Sequence, residues 1–130
     1  MADIRDKTKT LAEIRDNWQT TGIEDALHGR CAFMDIDALT ERRGRFLIVE
    51  RNRKGGPLST GQELTLRALA KLEQFNVVEV WGEPDTYPRI RILYPDASND
   101  KIHDLAAWTQ EQQIAFMKEL VRQWTTKANN

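Results

Sequence analysis

The segment Arg45–Glu50, "RFLIVE", most restricts what this chain can become. A continuous apolar run with β-branched members, too short for a helix, is the pattern of a central strand covered on both faces. Before it, from Ala32, the period is two: Ala32, Met34, Ile36 and Ala38 point one way, and Phe33, Asp35, Asp37 and Leu39 the other. "ERRG" between them supplies a turn. The expectation is an antiparallel hairpin turning about Arg43-Gly44, a register that pairs Asp37 with Glu50 and Asp35 with Asn52. All four side chains then share one face, because residues two apart along a strand do so.

The rest of the chain supplies covering layers. Leu11, Ile14 and Trp18 recur at helical spacing behind a Thr10 N-cap, predicting a helix over 4–20. Ser59 or Thr60 caps a second helix, which is expected to bury Leu64, Leu66, Leu69, Ala70 and Leu72. "VVEVW" reads as another short strand. "RIRILY" alternates Arg89 and Arg91 with Ile90 and Ile92, the pattern of an edge strand with one wet, basic face. A last helix over 109–126 should bury Ile114, Met117, Val121 and Trp124. Strand, helix, strand within one sheet implies a parallel crossover. The expected fold is α/β: a mixed central sheet, with an antiparallel hairpin plus a parallel crossover strand, flanked by helices. A chain of 130 residues allows one domain, with its core at about 26–94.

Composition narrows the function classes. One cysteine excludes an internal disulfide and a cysteine-based zinc site, and two histidines give no metal cluster. No apolar run is long enough to cross a bilayer, so no membrane partner and a cytoplasmic setting are expected. The net charge of -1 conceals a basic cluster of Arg42, Arg43, Arg45, Arg51, Arg53 and Lys54 around a single acid, Glu50. With Arg89 and Arg91, Arg42, Arg43, Arg53 and Lys54 are candidates for tracking a phosphate backbone.

Opposed carboxylates destabilise a sheet unless something offsets their repulsion. A cation between Asp37 and Glu50, with Asp35 beside them, would do so. Oxygen-only ligands suit a hard ion, Mg²⁺ or Mn²⁺. Solvated carboxylates paired with the nearby arginines are the plainer alternative.

"DID-ALTERRGRFLIVERN", "GGPLSTGQELTLRAL" and "VVEVWG" together resemble the core of the PD-(D/E)XK nuclease superfamily, especially small phage-type members and the VRR-NUC branch. The resemblance spans about Ala26 to Gly82. It implies a restriction-endonuclease-like core and Mg²⁺-dependent hydrolysis of DNA phosphodiesters, with branched or single-stranded DNA among the substrates. A phage origin, the host cytoplasm and a homodimer go with it. Asp37 or Asp35 becomes the first metal-binding acid, Glu50 the second, and the Arg51 carbonyl a main-chain ligand. Gln62 matches the family's helix glutamine, and Glu24 is the candidate helix acid.

Asn52 stands where the family has lysine. Three explanations compete. Lys54 or Arg53 supplies the charge, with Lys54 favoured by strand alternation; or metal and Asn52 suffice; or the chain is a degenerate, non-cutting DNA-binding or protein-interaction module.

Overall fold

The computed structural model describes residues 34–53 and 56–129. The expected helix over 4–20, Glu24, Lys54 and the first strand's beginning at Ala32 lie outside them. Residues from Ile36 onward form one structural unit, and Met34 and Asp35 fall outside it.

Five strands make one mixed sheet in sequence order: β1 (Ala38–Arg42), β2 (Arg45–Asn52), β3 (Phe75–Trp81), β4 (Arg89–Leu93) and β5 (Lys101–Asp104). The β2–β3 pair is parallel, joined through helix α1 (Thr60–Ala70), and the other pairs are antiparallel. Helix α2 (Gln110–Asn129) ends the described chain. Among the described residues the fold is thus α/β, with a mixed sheet and two α-helices, as the sequence pattern implies.

The hairpin turns at Arg43-Gly44, whose φ values of 53° and 78° are both positive. Such a two-residue loop matches the twist of its flanking strands. Its register pairs Ala38 with Val49 and Arg42 with Arg45, the alignment expected from the sequence. The first strand is shorter than its alternation suggested. Regular pairing starts at Ala38, so Asp37 sits on a bend just ahead of the ladder and Asp35 lies in irregular backbone.

The two sheet faces differ in kind. On one, Leu47, Val78, Val80 and Ile90 pack with Met117, Trp124 and Ala128 of α2. On the other, α1 lies over β3 and β4 and buries Leu66 and Ala70. That face carries an apolar row, Ile48–Val77–Leu93, followed one step along the strands by a charged row, Glu50–Glu79–Arg91.

Several expectations are corrected. Strand β4 is internal, because the polar strand "KIHD" pairs along its outer side. Arg91 is half-buried on the face that α1 covers, where it grips Glu63, while Arg89 on the same face stays exposed. Leu64 and Leu72 are 66% and 49% exposed, since α1 covers the sheet with only the Leu66–Ala70 stripe. Helix α2 runs to Asn129, beyond the expected 126, and Gln113 rather than Ile114 turns inward. The Gln113 side chain is satisfied there. It donates to the carbonyls of Leu105 (3.0 Å) and Trp108 (3.3 Å) and accepts from the Tyr87 amide (2.8 Å).

Gly82 ends β3 with φ of 102°, and a Cβ there would lie 2.7 Å from Pro88 Cδ and 2.7 Å from Thr86 Oγ1. Gly82→Ala adds a left-handed alanine and a clash with a proline ring, at a cost of about 1–3 kcal/mol from backbone conformation alone. A melting temperature lower by several degrees is the expected result; an unchanged one would mean the loop re-forms freely.

Candidate active site

Asp37 and Glu50 are tied together through the main chain. The Asp37 amide donates to Glu50 Oε1 at 3.0 Å, and the Arg51 amide donates to Asp37 Oδ2 at 2.8 Å. This reciprocal pattern follows from the hairpin register, because Asp37 occupies the next position beyond the Ala38–Val49 pair. Glu50 is buried at 4% exposure, so its carboxylate is held rather than solvated. Both groups lie toward the carboxyl end of β2. Open α/β sheets bind ligands beyond the carboxyl ends of their parallel strands.

Asn52, one step further, is also buried. Its amide nitrogen donates to Glu79 Oε2 (3.1 Å) and to the Gly56 carbonyl (2.6 Å). Asn52 therefore fastens the β2–α1 loop, at Gly56, to the middle strand. Gln62 closes a capping box with Ser59 at the start of α1. The Arg51 side chain leaves the site. It donates to the carbonyls of Gly82 (3.1 Å), Glu83 (2.9 Å) and Thr86 (2.9 Å), and lies 4.9 Å from the Tyr87 ring centroid.

Glu79 is the acid that sequence reasoning missed. It is fully buried in the middle strand, level with Glu50. Arg91 Nε lies 2.9 Å from Glu79 Oε1, close enough for an ion pair but misaligned for a linear hydrogen bond. Arg91 also grips both oxygens of Glu63, at 3.2 and 2.7 Å. Arg67 forks onto Asp100 (2.6 and 2.9 Å) and reaches Glu63 (2.8 Å) and the Tyr94 carbonyl (2.6 Å). Three acids and two arginines thus bolt α1 to β3, β4 and the turn before β5. An acid inside the apolar "VVEVW", with an arginine in the following strand "RIRIL", was the available signal.

The arginines set the acid limit of this network. Hydrogen bonding from Arg91, then from Arg67, holds Glu63 below its ordinary carboxylate range, against the opposing effect of burial. Burial pushes Asp100 up, but Arg67 and the Tyr94 amide outweigh it and leave this group lowered too. A carboxyl lowered in the folded state contributes stability above its unfolded value, near pH 4, and loses it as pH falls through the folded one. The urea midpoint should hold steady from neutrality to about pH 5 and fall below about pH 4. Glu63→Gln should flatten part of that fall, and an equal acid slope in the variant would clear Glu63 of the effect.

The basic candidates divide. Arg42 Nε donates to Asn129 Oδ1, and Arg43 Nη1 donates to the Asn129 carbonyl (2.9 Å). Both therefore sit at the α2 C-terminus, where cations complement the helix dipole. Arg91 is committed to ion pairs. Arg53 is exposed. Arg89, also exposed, lies 4.4 Å over the Trp81 ring, in the row Asn52–Trp81–Arg89 that borders the acidic one. Asp35 is half-buried and outside the sheet unit.

Among the described residues, no group of three or more His, Cys, Asp or Glu side chains is arranged to hold a metal. The donor set that does come together is a pair of carboxylates, each oriented by an amide. That fits a hard divalent ion, which takes one or two carboxylates and completes its shell with water and phosphate oxygens. Among the described residues, no helix is long and apolar enough to cross a membrane. No protein-family model, curated protein or solved structure matches this chain.

Proposed function

We propose that this chain is a divalent-metal-dependent nuclease of the PD-(D/E)XK kind, hydrolysing DNA phosphodiester bonds and working as a pair of subunits. The observation that carries the reading is the reciprocal bonding of Asp37 and Glu50. Each carboxylate is fixed by a main-chain amide of the opposite segment, Glu50 buried and Asp37 half-buried, near the carboxyl end of β2. Asp37 and Glu50 would hold Mg²⁺ or Mn²⁺. Such an ion supplies Lewis acidity at a phosphoryl oxygen and makes water a better nucleophile at neutral pH.

The chain's own groups do the positioning. The Arg51 amide fixes the Asp37 carboxylate, and the Asp37 amide fixes that of Glu50. Asn52, anchored on Glu79, holds the loop that leads to α1. Arg89 and Arg53 offer charge to the phosphate backbone at the border of the site, and Trp81 offers an aromatic face beneath Arg89. Phosphoryl transfer depends mostly on positioning and charge compensation.

Asn52 favours a second reading, a nuclease-derived DNA-binding or protein-interaction module without catalysis. Its neutral amide is turned to Glu79 and Gly56, where a lysine would bring a positive charge. One experiment separates the two. Supercoiled plasmid, branched DNA and single-stranded DNA are incubated with the protein in Mg²⁺, in Mn²⁺ and in chelator, and binding is read in parallel. Metal-dependent nicking supports the nuclease, binding without nicking supports the module, and neither result sinks both for DNA.

A further inference from the structure

Helix α2 has two usable sides, and the sheet consumes one of them. Gln113, Met117, Trp124 and Ala128 turn inward. On the outward side, Glu111, Ala115, Lys118 and Arg122 are exposed and follow the alternating four- and three-residue steps of a helix–helix seam. Ala115 lies between two shallow depressions. One is lined by Trp108, Gln112 and Phe116, the other by Ile114, Glu111 and Lys118. Trp108 is 44% exposed and packs edge-on against Phe116. A small residue between two hollows lets a second helix approach closely, its ridge entering the groove.

The charges on this face say which helix fits. We infer that the outward face of α2 is a two-fold contact between two copies of this chain, packed antiparallel about Ile114 and Ala115. In a two-fold contact each residue meets a fixed counterpart, and each meeting occurs twice. With the axis between Ile114 and Ala115, Ile114 meets Ala115 of the partner subunit and Glu111 meets Lys118 of the partner subunit. Opposite charges therefore face each other on both sides of a central apolar patch, which fixes register and orientation. A parallel arrangement would set Glu111 against its own copy and Lys118 likewise, and is disfavoured.

This surface deepens the paired form proposed above, but it stands on a different element from Asp37 and Glu50. Its test does not involve cleavage. Sedimentation velocity on the full chain across roughly the micromolar range should show a monomer–dimer equilibrium. Glu111→Lys or Lys118→Glu each creates two like-charge meetings and should weaken association at least about tenfold. The double variant, E111K with K118E, restores opposite charges and should return association to within a few-fold of the parent. Both positions are exposed, so circular dichroism should match the parent in all variants. A protein monomeric throughout overturns the inference, as would a dimer indifferent to the single reversals or a double variant as weak as the singles. Loss of nicking with unchanged association would bear on the acidic site alone.

Discussion

Glu50→Gln is expected to end Mg²⁺-dependent nicking, with a loss of at least about a hundredfold, while the protein folds as well as before or slightly better. The substitution is nearly isosteric. Its side-chain oxygen can still accept the Asp37 amide, so the bond that shapes this corner of the hairpin survives. What disappears is one negative charge, buried and level with Glu79 on the adjacent strand. Like charges on neighbouring strands repel, so neutralising one should relieve about 0.2–1 kcal/mol of strain on the sheet. Activity and stability should therefore move in opposite directions, the signature of a group kept for chemistry rather than for packing. Plasmid nicking and urea denaturation on the same preparation measure both. A variant that nicks at the parent rate removes Glu50 from the reaction.

Arg91→Met should be the most destabilising of the single substitutions considered. It leaves Glu79 with no exposed surface and without the guanidinium 2.9 Å away, and it releases Glu63 from a two-pronged grip. Breaking a buried pair from one side costs about 3–5 kcal/mol, because a desolvated charge is left behind. Removing both charges differs in kind. Glu79→Leu with Arg91→Met replaces the pair by apolar groups beside Val77 and Leu93, a change that is often neutral. The double variant should thus recover most of the stability lost by the single one, less the cost of the Asn52 bond. Urea midpoints across the four-protein cycle give the coupling. Additive losses would mean that Glu79 and Arg91 act independently.

Reading the chain without coordinates goes far where the signal is local. "RRG" between an alternating segment and "RFLIVE" can turn in few ways, and a period of two converts that turn into a register. The register that brings Asp37 beside Glu50 followed from that turn and period, although the ladder itself begins one residue later, at Ala38. So did a helix cap at Ser59 or Thr60, which the structure resolves to Ser59 boxed with Gln62, and the strand–helix–strand order that makes β2 and β3 parallel.

Position in the sheet was another matter. "RIRIL" has the alternation of an edge strand, and only the four-residue neighbour "KIHD", too short and polar to announce itself, makes it internal. Arg91 in turn lies under α1, gripped by Glu63, so that an expected phosphate contact becomes the counter-ion of Glu79. Leu64 and Leu72 carry the right apolar character for a core, yet which stripe of α1 meets the sheet depends on how the helix is laid across β3 and β4. Hydrophobic period, turn chemistry and caps act over a few residues, so sequence by itself determined four of the five strands, both described helices and the hairpin register that sets Asp37 next to Glu50. Burial and ion pairing are settled among strands far apart in the chain, so only the tertiary structure decided that Glu79 joins the acidic row and which arginines remain exposed.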